Sequence, residues 1–380
     1  MIPLIVPYIP IVGYKMSEIS LATRTMFADL QQRSLDAEFD EDFAPTGDFQ
    51  KRKRGNRYYW YYREGGRDGQ KKTPLYVGPV TDISITDRVK RFKTLKNDFK
   101  DRQTTVRALI AAGLPFPDPL TGRIIDAMGR AGFFRLRGVL VGTVAFQAYA
   151  GILGVNLRGR TVQTEDADFA QFWGISENID DGMLPILDVI GAVDDTFAPV
   201  PSLSDPFVSA RYRNRVGYFV DMLTPNRGSD EHQGKLARMK SLGGSGAQPL
   251  RHLDFLIYEP ERSLLLYGGG VPVTIPRAER FAIHKLIVAV ERKDQVKSSK
   301  DIMQAETLTV ALASQRPNEL ADAFATAWEE GPRWRDKIEN GVARLGPEAQ
   351  EHLKQLIKKW RTSRRGKHWR PTDPPEWLFS

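Results

Sequence analysis

The chain contains no cysteine in 380 residues. That excludes disulfides, thiolate zinc sites and cysteine nucleophiles together, and it suits a reducing compartment, so a cytoplasmic location is expected. Histidine is nearly as scarce. The five present (His232, His252, His284, His352 and His368) are scattered, and no two stand at the H-x-x-x-H spacing that builds a zinc site on a helix. Oxygen-ligand sites made of carboxylates stay open. Long apolar runs are missing too. The opening MIPLIVPYIPIVGYK is shorter than a membrane span and is cut by Pro3, Pro7 and Pro10, so no membrane partner is expected. It also lacks the basic start and small-residue cleavage site of a secretory signal. Met16 begins a more ordinary start, so residues 1–15 are expected to be an upstream extension. There is no G-x-x-x-x-G-K-[ST] phosphate loop, no G-x-G-x-x-G after a strand and no G-x-S-x-G elbow. The GGSG at 243–246 lies in a polar stretch and reads as a flexible connector.

What the chain does have is positive charge. Its 55 lysines and arginines against 47 acids leave a net +8, with a pI near 9.4. Such an excess suits polyanions, or simply solubility. The distribution is uneven, with clusters at Lys51-Arg52-Lys53-Arg54 and from Lys354 to Arg370. A hydrophobic share of 41% with 27% charged residues is ordinary for a soluble globular chain, and the length suits two or three domains.

Residues 17–38 read as a helix, followed by an acidic stretch at 36–48. The aromatic run in NRYYWYYREGGRDGQKKTPLYVGP has strand composition, with turn chemistry at Glu64-Gly65-Gly66 and Asp68-Gly69. Residues 85–112 carry apolar positions at helical spacing until the proline-rich 114–120 ends them. From Gly122 the texture turns mixed, with a helix at 124–131, strands at 136–141 and 167–172, another strand within 211–223, and a helix at 146–153. A hairpin of 253–258 with 263–266 is expected next. Helices are then expected at 278–291, 300–313, 318–329 and 347–362. The expected fold class is therefore mixed α+β, divided into an N-terminal helix–hairpin–helix region (1–120), a central mixed-sheet domain (121–275), a helical domain (276–362) and a basic tail (363–380).

Three motifs bear on chemistry. In GVLVGTVAFQAY a strand runs through Gly142-Thr143 into a helix, which lets backbone N–H groups, a hydroxyl and the helix N-terminus face an anion; a plain tight turn fits as well. In TEDADFAQ, Asp166 and Asp168 stand two apart, so on a strand both project from one face while Ala167 and Phe169 go inward. Two carboxylates on one face repel each other unless a cation sits between them, the arrangement that two-metal phosphoryl or nucleotidyl transfer uses; a solvated strand edge is the alternative. In NRVGYFVDMLTP, Asp221 lies in an apolar strand where an unpartnered carboxylate is costly. It completes a three-carboxylate cluster, or it pairs with Arg211, Arg213 or Arg215.

Taken in order, these motifs resemble the DNA polymerase β-type nucleotidyltransferase superfamily, in a bacterial branch described only as nucleotidyltransferase-like. The resemblance covers about residues 122–304. It implies Mg²⁺-dependent transfer of a nucleotidyl group from an NTP to a hydroxyl, with two ions held by Asp166, Asp168 and Asp221 and with Mn²⁺ as a substitute. Asp166, Asp168 and Asp221 are then the catalytic set, Asp221 acting on the acceptor side, and Gly142 and Thr143 cradle the triphosphate. Val141 stands where that family has a small residue or second glycine, and the stretch from Thr143 to Asp166 is long, with Arg158 and Arg160 as a flap or phosphate contact. An inactive scaffold acting as a nucleic-acid-binding or regulatory protein is the alternative. Downstream, PRAERFAIHKLIVAVERK…KSSKDIMQA resembles the helical segment of abortive-infection and toxin-type nucleotidyltransferases. Their pattern falls on Lys285, Arg292, Lys300 and Asp301, which adds Lys285 and Arg292 to the NTP-binding set; surface salt bridges and a helix cap at Lys300-Asp301 are the plainer account.

YYWYYR beside KRKR and Lys71-Lys72 interleaves aromatics with cations, as single-strand-binding sheets do, or as a strand packed on a helix does. With Tyr58, Trp60 and Tyr62 facing one way and Tyr59 and Tyr61 the other, one side must be core. This region and the basic segment at Lys354–Arg370 are the candidate nucleic-acid contacts, and RNA or a protein is the expected acceptor.

Overall fold

A computed structural model of the chain describes residues 18–37, 47–54, 57–63, 74–157, 164–178, 182–202, 208–226 and 235–362. The expected upstream extension, the turns at Glu64–Gly69, Lys71-Lys72, the Arg158/Arg160 flap and the basic tail beyond 362 lie outside these residues. The fold is mixed α+β, as expected.

The N-terminal part is α1 (Leu21–Ala37), a three-stranded antiparallel sheet of β1 (Asp48–Arg54), β2 (Arg57–Arg63) and β3 (Leu75–Pro79), and the long α2 (Ile83–Ala111). The basic run, read from sequence as a flank, is itself strand β1, paired from Asp48 opposite Arg63 to Arg54 opposite Arg57. Phe49 and Tyr62 on one face pack with Val89 and Phe92 of α2 into a small separate core. The Trp60 indole N–H donates to Thr86 at 3.1 Å.

The central part begins with α3 (Pro119–Arg130), started by Asp118, whose carboxylate accepts from the N–H groups of Leu120 and Thr121, with Pro119 in the first turn. Then come β4 (Val139–Val141), α4 (Gly142–Leu153), β5 (Asp166–Ala170), α5 (Trp173–Asn178), α6 (Ile186–Gly191), β6 (Ala198–Pro199), β7 (Arg211–Arg213), β8 (Phe219–Pro225), β9 (Ala237–Met239) and β10 (Ser245–Leu250). The sheet runs β4-β5-β8-β10-β9, with β7 beside the first half of β8 and β6 beside β7. Strands β5, β8 and β10 are parallel to one another, and β4 and β7 are antiparallel to their neighbours.

The strand expected within 211–223 is β8, which turns back from β7 at Asn214–Gly217. Two expectations fail here. Residues 253–258 are not a strand but the short helix α7 (Leu253–Ile257); the hairpin is β11 (Glu261–Leu265) with β12 (Val271–Ile275). The glycines at 243–246 are no flexible connector. Gly243 takes φ +62° where a Cβ would stand 2.5 Å from the Pro185 nitrogen, and Ser245 and Gly246 already pair with β9.

The C-terminal part is α8 (Ala278–Glu291), α9 (Gln295–Gln315), α10 (Pro317–Glu329), α11 (Pro332–Val342) and α12 (Pro347–Thr362). Helix α9 starts before its expected first residue, at Gln295, after an Asp294 cap that accepts from Val296 and Lys297 N–H, so Lys300-Asp301 lies inside the helix rather than capping it. One continuous core reaches from Ile124 to Trp360 and joins the sheet to these helices. At its centre Phe281 of α8 meets Phe146 and Tyr149 of α4, with ring centroids 6.1 and 5.3 Å apart. That contact fixes α8 against α4. No helix among the described residues is long and apolar enough to cross a membrane.

Candidate active site

The motif residues meet on one rung of the central sheet. Val141 pairs with Asp168, Asp168 with Asp221, and Asp221 with Arg211, across β4, β5, β8 and β7 in turn. Alternation explains the exposure: Ala167 and Phe169 are wholly buried beneath the sheet, while Asp166 and Asp168 rise on the opposite face, half-buried. Thr164 steadies Asp166 by donating its hydroxyl to the Asp166 carboxylate.

Gly142 is required at its place. It has φ +72°, and a Cβ there would stand 2.3 Å from Asp168 Oδ2. The strand-to-helix turn and the acid pair are thus packed against each other. Gly142 and Thr143 begin α4 beside the carboxylates, and among the described residues no N-cap side chain bonds that helix end.

Asp221 is not free. The Arg211 guanidinium grips it with two bonds, Nε to Oδ1 at 2.6 Å and Nη2 to Oδ2 at 2.7 Å. Of the arginines at 211, 213 and 215, the register selects Arg211. Among the described residues, no three acidic or histidine side chains stand together in a way that could hold a metal ion. Asp168 feels the crowding most. Burial first, then the neighbouring Asp166 and Asp221, push it up to about 7 from an ordinary 3.8.

The opposite wall is helical. Lys285 of α8 is buried and donates to Asp301 Oδ1 of α9 at 2.5 Å, and Arg292 reaches Asp301 Oδ2 at 2.9 Å. Burial alone would raise Asp301, but the two cations hold it below the usual carboxylate range. Lys285 and Arg292 therefore line the site while already paired with Asp301. Lys300 also lines it; burial lowers its pKa, and the Asp166 carboxylate is the largest influence opposing that shift. His284 stays neutral, pulled down to about 3 by burial and by Lys285. Between the walls lies a cleft of about 1350 Å³, lined by Gly142, Thr143, all three aspartates, Lys285, Arg292 and Lys300.

Residues 119–329, more than half of the chain, match the family described as Nucleotidyltransferase. The chain belongs to that nucleotidyltransferase family. No curated protein and no solved structure matches it significantly. The matched span runs from the first residue of α3 to the last of α10 and so contains both walls of the cleft. The activity is nucleotidyl transfer in the general sense of the family, with an NTP as the nucleotide donor. Sequence reasoning left Arg211 as one of three equal candidates. Counting outward from the Asn214–Gly217 turn would have singled it out.

Proposed function

We propose that the protein transfers the NMP of a Mg²⁺-bound NTP to an acceptor hydroxyl, with Asp166, Asp168 and Asp221 as the catalytic carboxylates. The observation that carries this is the contact of the Gly142 turn with Asp168, which sets an anion-binding helix end against an acid pair in one cleft.

The donor set fits a hard divalent cation. Asp166 and Asp168 offer oxygens from one face, and the upward shift of Asp168, due first to burial and then to Asp166 and Asp221, includes a repulsion that a cation between the carboxylates would relieve. Asp221 joins the set once Arg211 releases it. When bound, the metal supplies charge neutralisation at the triphosphate and a lower pKa for the attacking hydroxyl.

The chain's own residues do the positioning. Backbone N–H groups at Gly142 and Thr143 hold the β- and γ-phosphates at the helix N-terminus. Lys300 adds positive charge from the opposite wall, and Lys285 and Arg292 keep that wall cationic while fixing Asp301. The Asp221 carboxylate takes the acceptor's proton, and most of the acceleration comes from alignment and preset charge. Strand β1 presents Lys51, Arg52 and Lys53 to solvent, with Lys51 4.6 Å from the Tyr58 ring and Arg52 5.4 Å from the Tyr61 ring. On the same reading this sheet, with the basic segment from Lys354 onward, gives non-specific nucleic-acid contact.

The test is calorimetric NTP binding with and without Mg²⁺, on the wild type and on Asp166→Ala/Asp168→Ala. Metal-dependent binding lost in the double variant supports the assignment. A wild type that binds no NTP refutes it.

A further inference from the structure

We infer that the acceptor is the 3′-hydroxyl end of a single-stranded polynucleotide, docked on the β7–β8 ribbon through Arg213 and Phe219. The inference rests on the nucleotidyl-transfer reading above and adds the acceptor's class and seat. In-line displacement brings the attacking oxygen to the α-phosphorus opposite the departing pyrophosphate. The helix end at Gly142 and Thr143 sets the triphosphate on the β4 side of the rung. The acceptor therefore arrives from the far side, beyond Asp221, where the sheet continues into β7.

Two rungs lead out there. Asp168, Asp221 and Arg211 form one, and Asp166, Phe219 and Arg213 form the next, all on the same face of the sheet. The Arg211 and Arg213 guanidinium carbons lie 5.1 and 5.5 Å from the Phe219 ring centroid. Arg211 is satisfied by Asp221, whereas exposed Arg213 has no acidic partner among the described residues. The nearby Asp194 is occupied by Thr196 and Asn214. At the ribbon's tip Arg215 is exposed and Val216 is 81% exposed.

This platform selects among acceptors. A polycationic small molecule is repelled by exposed Arg213 and Arg215 at the entrance. A serine or threonine hydroxyl brings neither phosphate nor planar ring, and a tyrosine brings the ring without the phosphate. A polynucleotide end brings both: phosphate for the free donors of Arg213, and a base for the guanidinium–aromatic stack. In the reaction the 3′ oxygen bonds to the α-phosphorus as the bond from that phosphorus to the α,β-bridging oxygen breaks. Pyrophosphate leaves with the electron pair, and the hydroxyl proton passes to Asp221.

The experiment is fluorescence anisotropy of a 5′-labelled oligouridylate with the full chain, in a Lys51→Ala/Lys53→Ala background that weakens the contribution of β1. Arg213→Ala is expected to weaken binding about tenfold and to reduce the salt slope by about one. Arg213→Lys should recover the slope but not the affinity, because lysine keeps the charge and loses the plane. Calorimetric NTP binding should be the same in both variants and their background. Oligouridylate binding unchanged by Arg213→Ala overturns the proposal. So does equal competition by duplex RNA, or by polyglutamate, which would point to an acidic protein acceptor. A wild type that binds oligouridylate but no NTP refutes the transfer reading instead, so the two failures are told apart.

Discussion

Asp168 and Asp301 line the same cleft and are perturbed in opposite directions. Asp168 is driven up by burial and two neighbouring carboxylates, while Asp301 is held down by Lys285 and Arg292. The sheet wall carries Asp166, Asp168 and Asp221 with one bonded guanidinium, and Glu165 at its edge; the helical wall carries Asp301 held by Lys285 and Arg292, with Lys297 and Lys300 beside it and Glu291 at its edge. Each wall therefore carries an excess of opposite sign. A structural salt-bridge network would place those charges on each other. Here they face each other across an open cleft, one wall short of a cation and the other of an anion. A metal-bound triphosphate supplies both.

The largest effect expected from separating the two walls is on stability. Lys285 and Asp301 have side chains only 9% and 4% exposed. Lys285→Met leaves a buried carboxylate supported by Arg292 alone, and such losses cost about 3–5 kcal/mol. The lower end is expected because Arg292 remains. Urea denaturation at neutral pH measures it, and Lys285→Met/Asp301→Leu should recover most of the loss. If Lys285→Met left stability intact and only weakened NTP binding, Lys285 would belong to the ligand rather than to the wall.

Asp168→Asn comes next and should act oppositely on the two properties. Transfer is expected to fall by about 10²–10³, the usual cost of removing one preset electrostatic group. Stability of the metal-free protein above pH 7 should rise, because the substitution removes a repelled carboxylate. The pH dependence follows from the sign of the shift. With its pKa raised to about 7, Asp168 binds a proton more tightly in the folded state. Its stabilising contribution is therefore complete below about pH 4, declines as pH rises, and is gone above about pH 7. Metal-dependent NTP binding runs the other way and strengthens through the same window as the proton leaves. Thermal melts and calorimetry from pH 4 to 8, with Asp168→Asn as control, test both slopes. A flat profile in the wild type would mean that the acid pair is not crowded.

How much of this was legible in the sequence depends on whether the signal was local. The Asp166/Asp168 spacing and the Gly142-Thr143 turn are local, and strand alternation alone puts both carboxylates on one face. The fold class and most helices followed from periodicity. Leu253–Ile257 failed because five apolar-rich residues satisfy a strand and a helix pattern equally; packing against α8 and Trp334 decided for helix. Helix α11 was missed because PRWRDKIENGV is polar and contains Gly341. That glycine is demanded by a contact far away in sequence, since a Cβ there would stand 2.6 Å from the Leu286 carbonyl oxygen. Arg211 was ambiguous for a similar reason: its partner is set by hairpin register, which a strand somewhere within 211–223 does not reveal.

Arg211 also gives the smallest and most discriminating effect. Its side chain is 55% exposed and that of Asp221 11%, so solvent screens one end of the pair. Arg211→Ala is expected to cost roughly 1 kcal/mol in metal-free protein after that discount. If the guanidinium stands where a cation would otherwise sit, the same substitution frees Asp221 and tightens metal binding a few-fold. Mn²⁺ titration followed by electron paramagnetic resonance measures that affinity directly, without any turnover. Added Mn²⁺ should then return the lost stability, because binding to the folded state alone stabilises it by mass action. A variant that is destabilised and also binds Mn²⁺ more weakly would place Arg211 among the supports of the site. A variant destabilised without metal but tighter for metal makes Arg211 a stand-in for the cation, and the acid wall a site completed only when nucleotide and metal arrive together.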